Sequence, residues 1–158
     1  MIKYGVPELV EGHKNMNITI LKFIELLKIS FPEKFPANNT NILNYAHTRG
    51  WIEDQDERFC NNDLNRQTAA RIIHQFMKIE LGVPDLQDIS AAKILADLYT
   101  CHTCVNHIAQ VYLRGIMDTQ FVERDGVEYK IFNHLEFVLE EEVACIVEKI
   151  KAGVAGGV

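Results

Sequence analysis

Apolar side chains recur at helical spacing in four places along the chain. Ile20, Phe23, Ile24 and Leu27 mark one face of a helix over 19–29, with Thr19 as its N-cap. Pro32 and Pro36 in "PEKFPANN" break it. A second helix is predicted from about Asn41 to Arg49, stopped by Gly50. The polar run "EDQDERFCNND" reads as a loop. A third helix starts after Asn65, carries Ala69, Ile72, Ile73 and Phe76 on one face, and ends near Gly82. Beyond Pro84, residues 88–115 read as one long helical region ended by Gly115. Its stripe is Ile94, Leu98, Cys101, Val105, Ile108 and Tyr112, in alternating steps of four and three. In "QFVERDGVEYKIF" the period drops to two around Asp125-Gly126, a hairpin signal. A last helix is predicted after Asn133, with Phe137, Val138, Val143, Ile146, Val147 and Ile150. The tail "AGVAGGV" is too rich in glycine to continue it. The expected organisation is an N-terminal extension over 1–16, a helical domain over 17–150 and a flexible tail over 151–158.

Three of the helix openings share a design. They read "ITILKF" from Ile18, "LNRQTA" from Leu64 and "FNHLEF" from Phe132. Each has an apolar residue followed by an N-cap former, Thr19, Asn65 or Asn133, so the apolar residue can staple onto the first turn. Glu136 stands three residues after Asn133, as in a capping box. Ahead of the second and third openings lie Arg49-Gly50-Trp51-Ile52 and Arg114-Gly115-Ile116-Met117. The repeated unit is a helix, a connection, a helix ended by glycine, a loop and the next helix.

This pattern resembles the S-layer homology domain, whose repeats open on a helix start of the form I-T-R-A-E-F. "DERFCNNDLNRQTA" and "DGVEYKIFNHLEF" look like the family's loop and following helix start. The resemblance spans roughly 17–150. It implies an all-α, S-layer-homology-like fold with three central helices, two outer helical prongs and a small hairpin near 121–132. It also implies anchoring to a pyruvylated wall polysaccharide, bound through the arginine of the helix-start motif. Arg66 matches that arginine, while Ile20 and His134 replace it in the other copies. A ligand groove is then expected around Arg66, His134, Arg49 and Trp51. Chemically this is reasonable, because a helix N-terminus and a guanidinium both favour a carboxylate. The plain alternatives are Arg66 capping a loop or pairing with Asp63, and Trp51 packing in the core.

Charge changes that picture. Asp and Glu number 22 against 16 Lys and Arg, a formal net charge of -6. An acidic surface argues against nucleic acid and pushes against a wall anchor. No segment is apolar for long enough to span a bilayer, and residues 1–17 lack the pattern of a signal peptide. A cytoplasmic, non-enzymatic binding module is therefore the leading expectation, with an acidic polysaccharide or a protein as partner. No cofactor, nucleic acid or membrane is expected.

Candidate chemistry is sparse. Phosphate-loop, nucleophile-elbow and HExxH motifs do not occur. Cys101 and Cys104 have C-x2-C spacing, with His102 and His107 nearby. Placed inside a helix, they read as reduced, buried thiols that pack between helices. A metal- or thiol-dependent role is the alternative, with Cys60, His74 or His134 completing a ligand set. Redox chemistry is weaker, because it wants the first thiol at a helix N-terminus. The run Glu140-Glu141-Glu142 reads as a solvated face. A third reading comes from the ending "KIKAGVAGGV", which resembles the double-glycine end of a leader in modified-peptide precursors.

Overall fold

The computed structural model describes residues 16–36 and 41–156. The molecule is mainly helical. Its elements are α1 (Ile20–Ser30), α2 (Ile42–Arg49), α3 (Asp54–Arg58), α4 (Arg66–Ile79), α5 (Val105–Leu113), β1 (Gln120–Arg124), β2 (Val127–Ile131) and α6 (Glu140–Gly156). Short 3-10 turns cover Pro32–Lys34, Ser90–Ile94, Leu98–Thr100 and His102–Cys104. The two strands pair antiparallel, Gln120 opposite Ile131 and Arg124 opposite Val127.

Three short extended segments tie the long helices together. They precede α1 (17–19), α4 (63–65) and α6 (137–139), and they pair as Asn17 with Leu139, Thr19 with Asp63 and Asn65 with Phe137. Their central residues close a ring of backbone hydrogen bonds. The Ile18 N–H donates to Val138 O at 3.1 Å, Val138 N–H to Leu64 O at 2.9 Å and Leu64 N–H to Ile18 O at 2.8 Å. Ile18, Leu64 and Val138 are buried, as a ring of apolar side chains sealed from water requires.

Each segment's approach also caps a neighbouring helix. The N–H groups of Ile20 and Leu21 donate to the carbonyls of Asn62 and Cys60, and those of Arg66 and Gln67 to Glu136 and His134. The Glu140 N–H donates to Met16 O. Side chains complete two of the caps: Thr19 Oγ1 accepts from Lys22 N–H, and Asn65 Oδ1 from Thr68 N–H. These bonds satisfy several of the helix-end donors that lack partners within a helix.

The apolar faces of α1, α4 and α6 meet in one core with Trp51, Phe31 and Phe35. Phe76 of α4 is the aromatic hub, 5.0 Å from Trp51 and 5.4 Å from Phe31 between ring centroids. Edge-on packing on Trp51 and tilted packing on Phe31 add to the burial of each ring.

The first two helix openings, the hairpin at Asp125-Gly126 and the stop at Gly50, with φ +97°, follow the sequence reading. Four features differ. The last helix begins at Glu140, not after Asn133. Asp97 accepts the N–H groups of Phe132 and Asn133, each at 2.8 Å, and Asn133 turns at φ +67°. Hydrogen bonds from a distant residue thus override a local capping signal. The residue equivalent to Ile20 and Arg66 is therefore Glu140, and His134 lies in the capping loop.

The long region 88–115 is also not one helix. Leu95 pairs with Lys130 of the hairpin, and the Ala96 N–H donates to Lys130 O at 2.9 Å. That attachment breaks the stretch into 3-10 turns ahead of α5, and Ile94 leaves the expected stripe for solvent. Within the predicted polar loop, Glu53 and Asp56 form a capping box that starts α3. Finally, α6 continues through 151–156, where composition predicts an end. A glycine costs only about 1 kcal/mol in a helix interior, which flanking helix formers can offset.

Candidate functional site

Arg66 opens α4, but its side chain turns inward and is 3% exposed. Nε donates to Phe132 O at 2.7 Å, and Nη2 donates to Asp118 O. The guanidinium lies 4.6 Å from the Phe132 ring centroid, a cation–π contact. Nη1 is 3.8 Å from a Glu142 oxygen, beyond hydrogen-bonding distance. Burial pushes the Arg66 pKa down, opposed by Glu142, Glu136, Asp118 and Asp97. The sequence alternatives of a loop cap and an Asp63 partner converge on something different. Arg66 clamps the backbone on both sides of the hairpin.

The amide groups at the head of α4 are not open to an anion. Backbone carbonyls and Asn65 already take them. What remains beside Arg66 is a cleft of about 160 Å³, lined by Ile116, Met117, Asp118, Glu142, Cys145, Ile146 and Lys149. Lys149 Nζ reaches Asp118 at 3.2 Å on its rim. Glu142, expected on a solvated face, instead lines this cleft and accepts the Leu139 N–H at 2.8 Å.

The other predicted site residues lie elsewhere. Arg49 and Trp51 meet Glu80 at the C-terminal end of α4. Arg49 Nε is 2.7 Å from the carboxylate, and Trp51 Nε1 donates to it at 3.1 Å. Along a helix of that length the two ends are about 20 Å apart. Trp51 is fully buried, so its ring packs in the core and presents no stacking face. The Glu80 hydrogen bond and charge raise the Arg49 pKa. His134 is buried, with Nδ1 3.3 Å from Asp97 and Nε2 without a partner among the described residues. An Nδ1–H donated to Asp97 leaves Nε2 as an acceptor, which costs less than an orphaned N–H.

The cysteines correct the sequence reading. Cys101 and Cys104 form a disulfide, with Cα atoms 5.2 Å apart, in the turn that leads into α5. Cys60 and Cys145 are free thiols. The pair therefore sits at a helix start and not inside a helix. The difference follows from the break at 88–104, which moved the start of α5 to Val105.

A second polar cluster joins two histidines that the sequence offers only as possible metal ligands, and no metal-binding group forms there among the described residues. His74 of α4 and His107 of α5 face each other with Nδ1 atoms 2.8 Å apart. His74 Nε2 is 2.6 Å from Asp85, which also accepts from Asn106 at 3.1 Å. One proton sits between the two Nδ1 atoms, so one ring donates and the other accepts. Burial foremost, then the His74 and Arg71 charges, lower the His107 pKa to about 4. Burial alone would raise the Asp85 carboxyl, but bonds from His74 and Asn106 and the His74 and Lys78 charges outweigh it and hold it low. Nothing in the sequence pairs His74 with His107 except their places on the apolar sides of two helices.

Comparison with protein-family models, with curated proteins and with solved structures finds no match for this chain.

Proposed function

We propose that this protein is a binding module on an S-layer-homology-like scaffold, with its ligand seat in the cleft beside Arg66. The ring of hydrogen bonds through Ile18, Leu64 and Val138 supports the scaffold reading, because it relates the three helix openings by an approximate threefold arrangement. Arg66 carries the site reading. Its Nη1 makes no hydrogen bond among the described residues and borders a cleft large enough for a small acidic group. Lys149 offers a second cation on the rim. Its present partner, Asp118, has a mostly exposed side chain, so exchanging that pair for a ligand carboxylate costs little. Arg49, Trp51 and His134 do not belong to this seat.

The test is calorimetric titration with an oligosaccharide bearing pyruvate ketals, and with a small dicarboxylate for comparison. Lys149→Ala is expected to weaken binding of the acidic ligand about tenfold, the loss of one charge-assisted contact of roughly 1.4 kcal/mol. Affinity unchanged in both Lys149→Ala and Arg66→Lys would reject the cleft as the seat.

A further inference from the structure

We infer that Cys101 and Cys104 form a redox-active pair that exchanges its disulfide with dithiols, a function separate from the cleft beside Arg66. Three observations combine. The two sulfurs are already joined across a single turn, Cys101-His102-Thr103-Cys104. Their exposure is unequal: Cys101 is partly open and Cys104 is 7% exposed. A hydroxyl flanks one sulfur and a helix start the other. Thr103 Oγ1 lies 3.5 Å from Cys101 Sγ, and Cys104 is the N-cap of the nine-residue helix α5.

The head of α5 differs from those of α1, α4 and α6. Those three take backbone carbonyls from a neighbouring segment. Among the described residues, α5 receives no such carbonyl and has no side-chain cap bond. Cys104 stands at this end of the helix, where the field of the dipole favours a thiolate over a thiol.

Exchange proceeds in two displacements. One sulfur of the dithiol, as thiolate, attacks the accessible Cys101 Sγ. The S–S bond breaks, and its electron pair leaves on Cys104 Sγ. The head of α5 stabilises that anion until it takes a proton from water. The second thiolate of the reagent then attacks its own sulfur in the mixed disulfide. Cys101 departs as a thiolate, stabilised by the Thr103 hydroxyl, and is protonated in turn. Two electrons and two protons pass to the cysteine pair, and the dithiol becomes a disulfide.

Two experiments test this. In a Cys60→Ser/Cys145→Ser background, Cys104→Ser leaves Cys101 alone. An aromatic disulfide reagent should then form a mixed disulfide at Cys101 at least ten times faster than at exposed Cys145 in a Cys60→Ser/Cys101→Ser/Cys104→Ser chain. A Cys101 rate equal to or below that of Cys145 overturns the inference. The second experiment keeps the native chain and equilibrates it in mixtures of reduced and oxidised dithiothreitol. Alkylation and mass measurement should show a reversible two-electron change, with the helical circular-dichroism signal retained. A pair that does not change state across the series, or a chain that unfolds on reduction, overturns it as well.

Discussion

The stretch from α1 to α4 and the stretch from α4 to α6 are built from the same parts and filled differently. Each starts at a helix capped by a neighbouring segment, passes through a helix stopped by a left-handed glycine, Gly50 or Gly115, and returns to the ring. An acidic residue stands three places after each glycine, Glu53 in one and Asp118 in the other. In the first stretch α3 follows, and the groove is filled from α4. Arg71 makes two bonds to Asp56, at 2.7 and 2.9 Å, and lies 3.9 Å from Glu53. In the second stretch a hairpin replaces α3. The residue equivalent to Arg71, the sixth of its helix, is Cys145, and a cleft remains there. A frame held by backbone hydrogen bonds tolerates either filling. The proposed ligand seat lies at the position where side chains stop completing the frame.

The largest test is to empty the filled groove. Asp56 is 3% exposed, accepts the Glu53 N–H at 2.8 Å and holds Arg71. Asp56→Ala leaves Arg71, in a mostly buried setting, with only the 3.9 Å contact to Glu53 and removes the α3 capping box. A loss of about 3–5 kcal/mol is expected, lowering the melting temperature by roughly 10 °C. Thermal unfolding followed by circular dichroism measures it. A loss under 1 kcal/mol would mean that the first groove is not held by this pair, and the contrast with the second would collapse.

Next is Arg66→Met, which probes the clamp on the open side. Methionine keeps the length of the stem but leaves the carbonyls of Phe132 and Asp118 without a donor. The expected cost is about 2–4 kcal/mol in urea unfolding. Hydrogen exchange should rise in β1 and β2 more than in α1. Uniform acceleration across the chain would show that Arg66 does not act through the hairpin.

Local signals were legible in the sequence wherever the cause is local. Thr19 and Asn65 cap their helices with their own side chains, Gly50 ends α2 through its own φ, and Asp125-Gly126 makes its own turn. The ring register was legible for two openings out of three. At the third, Asn133 looks like an N-cap, yet Asp97, 36 residues earlier, holds its N–H and delays the helix by a turn and a half. The same distance effect hid the break at 88–104, since attachment to Lys130 has no periodicity to read. The setting of the cysteines is hidden with it, because their chemistry depends on where α5 begins. The sequence places Arg66 at a helix opening but not its contacts, because it does not tell whether a long side chain turns outward or inward.

A smaller effect distinguishes the packing of α4 on α5 from that of α1 on α2. Only the former places a histidine pair at its contact, where His107 meets His74, Arg71, Asp85 and Lys78. With the folded pKa lowered to about 4 from 6.5, the unfolded chain takes up a proton below pH 6.5 that the folded chain refuses. Stability from this group is therefore full above about pH 6.5 and is lost as the pH falls towards 4. The ring is only partly buried, so solvent screening reduces the effect to on the order of 1–2 kcal/mol. Urea unfolding at pH 7 and pH 4.5 should show it, and His107→Gln should flatten the slope. An equal slope in the variant would assign the pH dependence to other groups.

The smallest effect tests how closely the third opening matches the first two. Thr19 and Asn65 each accept an N–H from the first turn of their helices, but Leu139 has no oxygen to do so. α6 instead relies on Glu142, which reaches back to the Leu139 N–H at 2.8 Å. That is half of a capping box, and the acidic residues of the first turn already favour the helix dipole. Leu139→Thr supplies the missing half while keeping a methyl group for the half-buried site. If the three openings are equivalent, this substitution stabilises the protein by about 0.5–1 kcal/mol, whereas Thr19→Ala and Asn65→Ala each cost about 1 kcal/mol. The gain should appear as a rise of roughly 2 °C in melting temperature. A loss as large as that of Thr19→Ala would show the opposite: that the third opening is held by the packing of Leu139 itself, and that the ring is threefold in its backbone alone.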